Sequence, residues 1–305
     1  MKKAVTFLVL TFLLSWPMAF WVPWTGVRPY STPWLAIAVY FMFTPCISAI
    51  ITQKLIFREN VMRPLSVSFR VNRWYLVALC LPALLAITSA IVSLLFANVS
   101  FTPDPTEANI FEFIGATLPE EKVADLTRSI TELPIHPFVL VLIGGTIAGL
   151  TINGIAGFGE ELGWRGLLLR QSARLGFWGS SFAIGFIWGL WHLPFIINGH
   201  NYPGHPFAGV LMMILWAILF GPLIAYVCIR SNSVLSAAMM HGALNGTAIA
   251  PVIVLKGGDN LQVGVMGAAG VLVLILFNIV LLGCGRPRKW HDIWMGRTFG
   301  STAHP

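Results

Sequence analysis

The sequence has few charged residues. Only 10% of its 305 residues are charged, whereas soluble domains carry about 25%. That leaves too little polar surface to cover a globule of this size in water, so a soluble protein is excluded and an integral membrane protein is predicted. The net charge is +7. In a membrane protein such an excess is typical of cytoplasmic loops and contacts with lipid headgroups, so nucleic-acid binding is not expected.

Cysteine is also scarce. No two of the four cysteines have the spacing of a metal or redox motif, and all four fall in apolar runs: Cys46, Cys80, Cys228 and Cys284. We interpret them as small apolar packing residues. Their arrangement carries no information on the redox compartment.

Long apolar runs are what the sequence has in abundance. A helix needs about 20 mostly apolar residues to cross a bilayer. Eight runs qualify, so we predict an all-α fold, a polytopic transmembrane helix bundle of about eight spans. The spans are 4–24, 34–56, 74–98, 137–160, 177–198, 207–229, 233–255 and 263–284.

Basic residues are unevenly distributed about these spans. If both termini lie on one side, that side holds 15 of the 19 basic residues, and the other side holds Arg28, Lys122, Arg128 and Lys256. The positive-inside rule then places both termini in the cytoplasm. The only long connection, 99–136, becomes an extracytoplasmic loop.

Several ionisable side chains fall at membrane depth, where they are costly and mark functional sites. Glu160 and His192 each lie 16 residues from Gly176, where the fourth and fifth spans turn. At about 1.5 Å per residue, both are roughly 20 Å from that turn. His241 in the seventh span is about one turn shallower, and Asn245 closes much of the gap. Three helices could therefore bring these four side chains to one layer.

Local spacing separates the two adjacent acids. Glu161 and Arg165 are four residues apart and can pair on one helix face, as His241 and Asn245 can share another. Glu160 points about 100° away from Glu161 and is left without that cation. It is therefore the candidate general base. The glycine-rich run before the acids lets neighbouring helices approach closely.

Each of these ionisable side chains, taken alone, also has a simpler interpretation. An intramembrane histidine can be a packing residue, and the two acids can form structural ion pairs at the membrane edge. His200 and His205 lie in a connection rich in Gly, Pro and Asn, and we predict that they are solvated. The common depth of the four intramembrane groups favours a functional site.

Three ordered motifs resemble those of the CAAX-protease and bacteriocin-processing family of intramembrane proteases, known as CPBP or ABI. The family motifs EExxxR, FxxxH and HxxxN correspond here to EELGWR (160–165), WGLWH (188–192) and HGALN (241–245). Trp188 stands where the family motif has Phe, which keeps an aromatic wall. The resemblance covers about residues 140–250, and EELGWRG and LWHLP are similar to the bacterial branch in particular.

The resemblance implies a multi-pass protein of the cell membrane, the plasma membrane if the chain is bacterial. It also implies a division of the chain into three parts. Residues 1–136 would form three N-terminal spans and the extracytoplasmic loop, 137–285 a CPBP-like catalytic bundle, and 286–305 a basic cytoplasmic tail.

The activity that the resemblance implies is intramembrane endopeptidase chemistry of the CAAX-protease type. Glu160 and His192 would activate water, and Glu161 and Arg165 would hold the site together. The remaining residues fall into two sets, the oxyanion stabilisers His241 and Asn245 and the substrate-pocket candidates Trp164, Trp188 and Trp191.

Metal dependence is open at this point. Glu160, His192 and His241 could supply three zinc ligands with a fourth position for water. However, the sequence lacks H-E-x-x-H, and a metal-free glutamate mechanism uses the same residues. The metal-free mechanism is favoured, although the family name often includes metalloprotease.

The expected partners are the lipid bilayer and a membrane-associated peptide or protein, cleaved near the cytoplasmic half of the bilayer. Two other functions remain. One is a non-proteolytic protein of bacteriocin self-immunity or membrane binding on the same fold. The other is a proton-coupled transporter, since intramembrane Glu and His also relay protons.

Overall fold

The computed structural model describes residues 2–27, 31–110, 125, 128–129 and 132–284. Loop 99–136 is therefore described in part, and the tail 286–305 lies outside the described residues. The predicted all-α helix bundle is confirmed. The helices are α1 (Lys2–Trp21), α2 (Thr32–Ile50), α3 (Arg73–Ser93), α4 (Pro137–Leu150), α5 (Ile152–Glu161), α6 (Leu169–Gln171), α7 (Gly176–Trp191), α8 (Leu193–Ile197), α9 (Pro206–Ser231), α10 (Val234–Thr247) and α11 (Ala268–Gly283). Two short strands, β1 (Ser100–Phe101) and β2 (Leu255–Lys256), pair antiparallel.

Helix length separates these elements into two kinds. Within the described ranges, four helices are long and apolar enough to cross a bilayer alone: α1, α2 with its π-helical extension to Ile56, α3 and α9. The bent pair formed by α4 and Ile152–Gln171 makes a fifth if it counts as one span. The other helices are shorter, so the count of eight spans stays a prediction.

The predicted fourth span, 137–160, is broken in the structure. Its two pieces are bent by 57° at Thr151, whose φ of −124° and ψ of −120° lie outside the helical region. Beside the break, the backbone of Gly149 occupies the place that a Cβ on Gly154 would need. The glycine-rich run thus permits a bend that an apolar run by itself does not reveal.

Helix α10 lies at the centre of the bundle. It has 14 residues and is mostly buried against α3, α4, α5 and α9. Glycines make the closest contacts: Gly145 of α4 meets Gly246, and a Cβ on Gly157 of α5 would lie 2.5 Å from the carbonyl oxygen of Ala238. Because neighbouring helices enclose α10, it need not match the full thickness of about 30 Å of the hydrocarbon core.

The connections form two groups. We call the first group the loop face; it consists of 94–110, 198–205 and 255–267. There β1 pairs with β2, and Asn260 donates a hydrogen bond to the carbonyl of Pro203 over 3.0 Å. We call the second group the basic face; it consists of the N-terminus, 57–72, 172–175 and 231–233. There Lys3 pairs with Glu59, and Asn72 donates a hydrogen bond to the carbonyl of Ser231 over 2.8 Å. The connections within each group are ones that were predicted to share one side of the membrane.

Candidate active site

A cavity of about 320 Å³ lies among α2, α7, α8, α9 and α10. All four predicted catalytic side chains line it: Glu160, His192, His241 and Asn245. Glu160 comes from the end of α5, His192 from the junction of α7 and α8, and the other two from α10. The structure therefore brings the three motifs to one place.

Glu160 is held by an indole. Its side chain is buried, and Trp188 Nε1 donates a hydrogen bond to its Oε2 over 2.7 Å. Its other oxygen, Oε1, lies 3.9 Å from His241 Nε2. That distance is too long for a direct hydrogen bond. One carboxylate oxygen is thus fixed, while the other is directed at His241.

Glu161 binds two partners at once. Its Oε1 accepts from Arg165 NH1 and from His241 Nδ1, each over 2.9 Å, and all three side chains are buried. Because an ionised carboxylate only accepts, Nδ1 of His241 carries a proton. The pairing of Glu161 with Arg165 is the one that their four-residue spacing predicts. Glu161 thereby ties α5 to α10 and fixes the imidazole whose Nε2 faces Glu160.

Arg165 has a second contact besides the carboxylate. Its guanidinium lies 4.8 Å from the ring centroid of Trp188, within cation–π distance. Arg165 belongs to a π-helical segment, Leu162–Leu168, all seven residues of which are buried. The ring that holds Glu160 is therefore itself supported from behind the site.

His192 is held by its own helix. Its Nδ1 lies 2.8 Å from the backbone carbonyl oxygen of Trp188. A carbonyl only accepts, so the proton is on Nδ1 and the Nε2 lone pair is free to accept a proton or a hydrogen bond. The ring packs edge-on against Trp188 and Trp191, with centroid distances of 5.6 and 4.9 Å. Asn245, by contrast, is exposed at the cavity wall.

The three tryptophans proposed for the substrate pocket lie in different places. Trp188 lines the cavity, whereas Trp164 and Trp191 do not belong to its lining. Trp191 stacks on Phe41 at 4.0 Å and donates to Ser15 Oγ over 2.9 Å. Trp164 packs edge-on against Phe7 of α1, with the centroids 5.5 Å apart. The last two therefore join the site to the N-terminal helices α1 and α2.

His200 was predicted to be solvated, but it lines the cavity. Its ring centroid lies 5.7 Å from that of Trp34 and 6.0 Å from that of Phe195. Positive φ angles at Gly199 (90°) and Asn201 (62°) fold this connection back over the bundle. Burial lowers the pKa of His200 to about 4, so the imidazole is neutral at neutral pH. No sequence pattern indicates that this connection folds back over the bundle.

His205, the other histidine of this connection, faces Asp259, with 3.6 Å between His205 Nε2 and Asp259 Oδ2.

The alternative zinc site can be tested on the same geometry. Within the part of the chain that the structure describes, no group of three His, Cys, Asp or Glu side chains is arranged to hold a metal ion. In the suggested ligand set, Nδ1 of His241 is bonded to Glu161, Nδ1 of His192 is bonded to a backbone carbonyl, and one oxygen of Glu160 accepts from Trp188. Nε2 of each histidine and Oε1 of Glu160 remain, and a histidine that ligates a metal commonly donates its other ring N–H to a carboxylate or a carbonyl. The choice between the metal-free and the zinc mechanism therefore stays a prediction, with the metal-free mechanism favoured.

Comparison with known proteins agrees with the motifs. Residues 142–247 match the family model described as Type II CAAX prenyl endopeptidase Rce1-like. The matched segment runs from α4 to the end of α10 and includes the three motifs. No curated protein matches the chain. The resemblance to the CAAX-protease family is confirmed over this segment, and with the apolar helices it supports a multi-pass membrane protease.

Proposed function

We propose that the protein is an integral membrane endopeptidase that hydrolyses a peptide bond with a water molecule activated by Glu160 and His192. The observation that carries the proposal is the shared cavity. Around one space of about 320 Å³ lie the carboxylate of Glu160, the imidazoles of His192 and His241 and the amide of Asn245, with an ion pair buried behind them. These are the groups that water activation and oxyanion stabilisation require.

Charge balance assigns a proton within this cluster. Glu160 and Glu161 contribute two negative charges and Arg165 one positive charge, all in a buried site. An unbalanced charge is costly there, so one more proton, shared between Glu160 and His241, is favoured. When His241 holds it, the imidazolium keeps Nδ1–H on Glu161 and turns Nε2–H towards Glu160 and the cavity. Glu160 is then an ionised base.

The hydrolytic step follows from these positions. Glu160 takes a proton from a water molecule oriented by His192 Nε2, and the water oxygen bonds to the carbonyl carbon of the substrate. The electron pair of the C=O bond moves to oxygen, where His241 Nε2–H and the Asn245 amide stabilise the charge. The C–N bond then breaks, and the proton on Glu160 passes to the leaving nitrogen. One water is consumed, and an acid and an amine are released.

Replacing Glu160 with Gln tests this function. The amide keeps the size of the side chain but cannot take the proton, so we expect cleavage of membrane peptides to be lost. Peptides that accumulate uncleaved in membranes carrying Glu160→Gln identify the substrates. Glu107→Gln is the matched control, because Glu107 lies on the loop face with its side chain 55% exposed and pairs only with Lys256 among the described residues.

Two results would contradict the proposal. One is cleavage at the wild-type rate by a folded Glu160→Gln protein. The other is protection against a bacteriocin that persists in Glu160→Gln, which would support the non-proteolytic immunity function. Loss of activity in Glu107→Gln as well would assign the effect to general damage.

A further inference from the structure

The cavity is built asymmetrically along the bundle axis. Beyond the catalytic layer, its wall consists of residues at the loop-face ends of the helices and in the loop-face connections: Trp34, His200, Asn201, Ala248 and Met266. In the described ranges, none of the lining residues comes from the basic-face connections 57–72, 172–175 and 231–233. The cavity therefore extends from Glu160 towards the loop face.

The opposite end of the cavity is closed. Below Glu160 lie the buried ion pair of Glu161 and Arg165 and the fully buried segment Leu162–Leu168. Under these the chain of 57–72 packs, since a Cβ on Gly166 would lie 3.1 Å from the carbonyl oxygen of Leu65. Access from the basic face would require this floor to open.

Charge shows which face is which side of the membrane. The basic-face connections 57–72 and 172–175 hold Arg58, Arg63, Arg70 and Arg174. The described loop-face connections hold one basic residue, Lys256, and three acidic ones, Asp104, Glu107 and Asp259. Under the positive-inside rule the basic face is cytoplasmic. The end of the cavity away from Glu160 then lies towards the extracytoplasmic side.

We infer that the substrate reaches the active site from the extracytoplasmic side, as an uncharged, largely apolar segment of an exported or membrane-anchored peptide. This inference rests on the proposed function. It differs from the expectation of cleavage near the cytoplasmic half, because the cavity extends from Glu160 away from the cytoplasmic face.

The wall of the cavity accounts for the chemical class of substrate. Between the catalytic layer and the loop face it presents aromatic and thioether side chains, among them Trp34, Phe195, Met213 and Met266. These contact apolar peptide side chains favourably. A charged side chain at the cleavage site would lose its hydration among these apolar groups, which is costly.

Labelling of single cysteines tests the orientation. In a cysteine-free protein that still cleaves, Asn198→Cys and Arg174→Cys place exposed thiols at the two ends of the α7–α8 leg. Asp259→Cys gives a second loop-face position, with its native side chain 50% exposed. In intact cells, a membrane-impermeant maleimide should label the loop-face thiols, and Arg174→Cys should react only after permeabilisation. The reverse pattern would overturn the inference.

Cleavage by oriented vesicles tests the route. The probe is an impermeant peptide with an uncharged apolar segment, added outside proteoliposomes whose orientation is known from the labelling. Vesicles with the loop face outward should cleave it, and Lys residues beside the scissile bond should slow cleavage roughly tenfold or more. If the protein cleaves the peptide in detergent, but among the vesicles only those with the basic face outward cleave it, the inferred route is wrong and the proposed function stands. No cleavage by the wild type, even in detergent, would defeat the proposed function.

Discussion

Replacing Trp188 with Phe removes one hydrogen bond from the site and keeps an aromatic ring. The bond is the one from Trp188 Nε1 to Glu160 Oε2, 2.7 Å long and buried. Phe is also the residue that the family motif has at this position. The substitution therefore asks whether this chain depends on a donor that Phe cannot provide.

The expected effect follows from the strength of the bond. A hydrogen bond to a charged group contributes about 1.5–3 kcal/mol. If that energy positions Glu160 for proton transfer, its loss raises the barrier by a similar amount, which lowers kcat about 10- to 150-fold. KM should change much less, because the aromatic wall of the cavity is retained. The ring of Phe still offers a face to Arg165, which limits the structural cost.

The assay compares kcat and KM of purified Trp188→Phe and wild type on one peptide substrate. Trp16→Phe is the matched control, because Trp16 Nε1 donates to the carbonyl of Trp191 over 3.1 Å and Trp16 is not part of the cavity lining. The control should lose some thermal stability but keep kcat. If Trp188→Phe folds and keeps kcat within about twofold of wild type, a difference of about 0.4 kcal/mol, the indole does not position the base.

Three further outcomes are expected. Glu161→Gln should lower the free energy of unfolding by about 3–5 kcal/mol, because it removes the buried carboxylate that accepts from both Arg165 and His241; an unchanged thermal midpoint in detergent would contradict this. Gly157→Ala should lower both stability and kcat, since its Cβ would lie 2.5 Å from the carbonyl oxygen of Ala238. Gly144→Ala, with open space at its Cβ position, is the control and should be neutral or stabilising. Cleavage should persist after prolonged treatment with a metal chelator, and stoichiometric zinc whose removal abolishes cleavage would revive the metal mechanism.

The positions of the helices could be predicted because a long apolar run in a bilayer has few possible conformations other than a helix. Each predicted span overlaps a helix, since backbone polar groups in lipid must be bonded within the segment. The break at Thr151 could not be predicted in this way. A glycine-rich apolar run is compatible with a straight or a bent helix, and contacts with α10, far along the chain, decide between them.

The site was predictable in part for a similar reason. Helical spacing alone indicates that Glu161 and Arg165 meet, and counting residues from Gly176 indicates a common depth for Glu160 and His192. The hydrogen bond from Trp188 to Glu160, by contrast, forms only if the indole of Trp188 on α7 has the right orientation. That orientation follows from tertiary packing, which one sequence does not display. The place of His200 likewise depends on a loop that folds back over the bundle.

The bond between Glu161 and His241 joins residues 80 positions apart, and this separation affects the timing of assembly. A chain synthesised from its N-terminus has α5 in place before α10 has been made. Glu161 and Arg165 can pair at that stage, but neither the imidazole opposite Glu160 nor the amide of Asn245 has arrived. Under the proposed mechanism, the chain could hydrolyse a peptide bond only after α10 has docked against the glycines of α4 and α5. A nascent or truncated chain that lacks α10 would then have no proteolytic activity towards neighbouring membrane proteins.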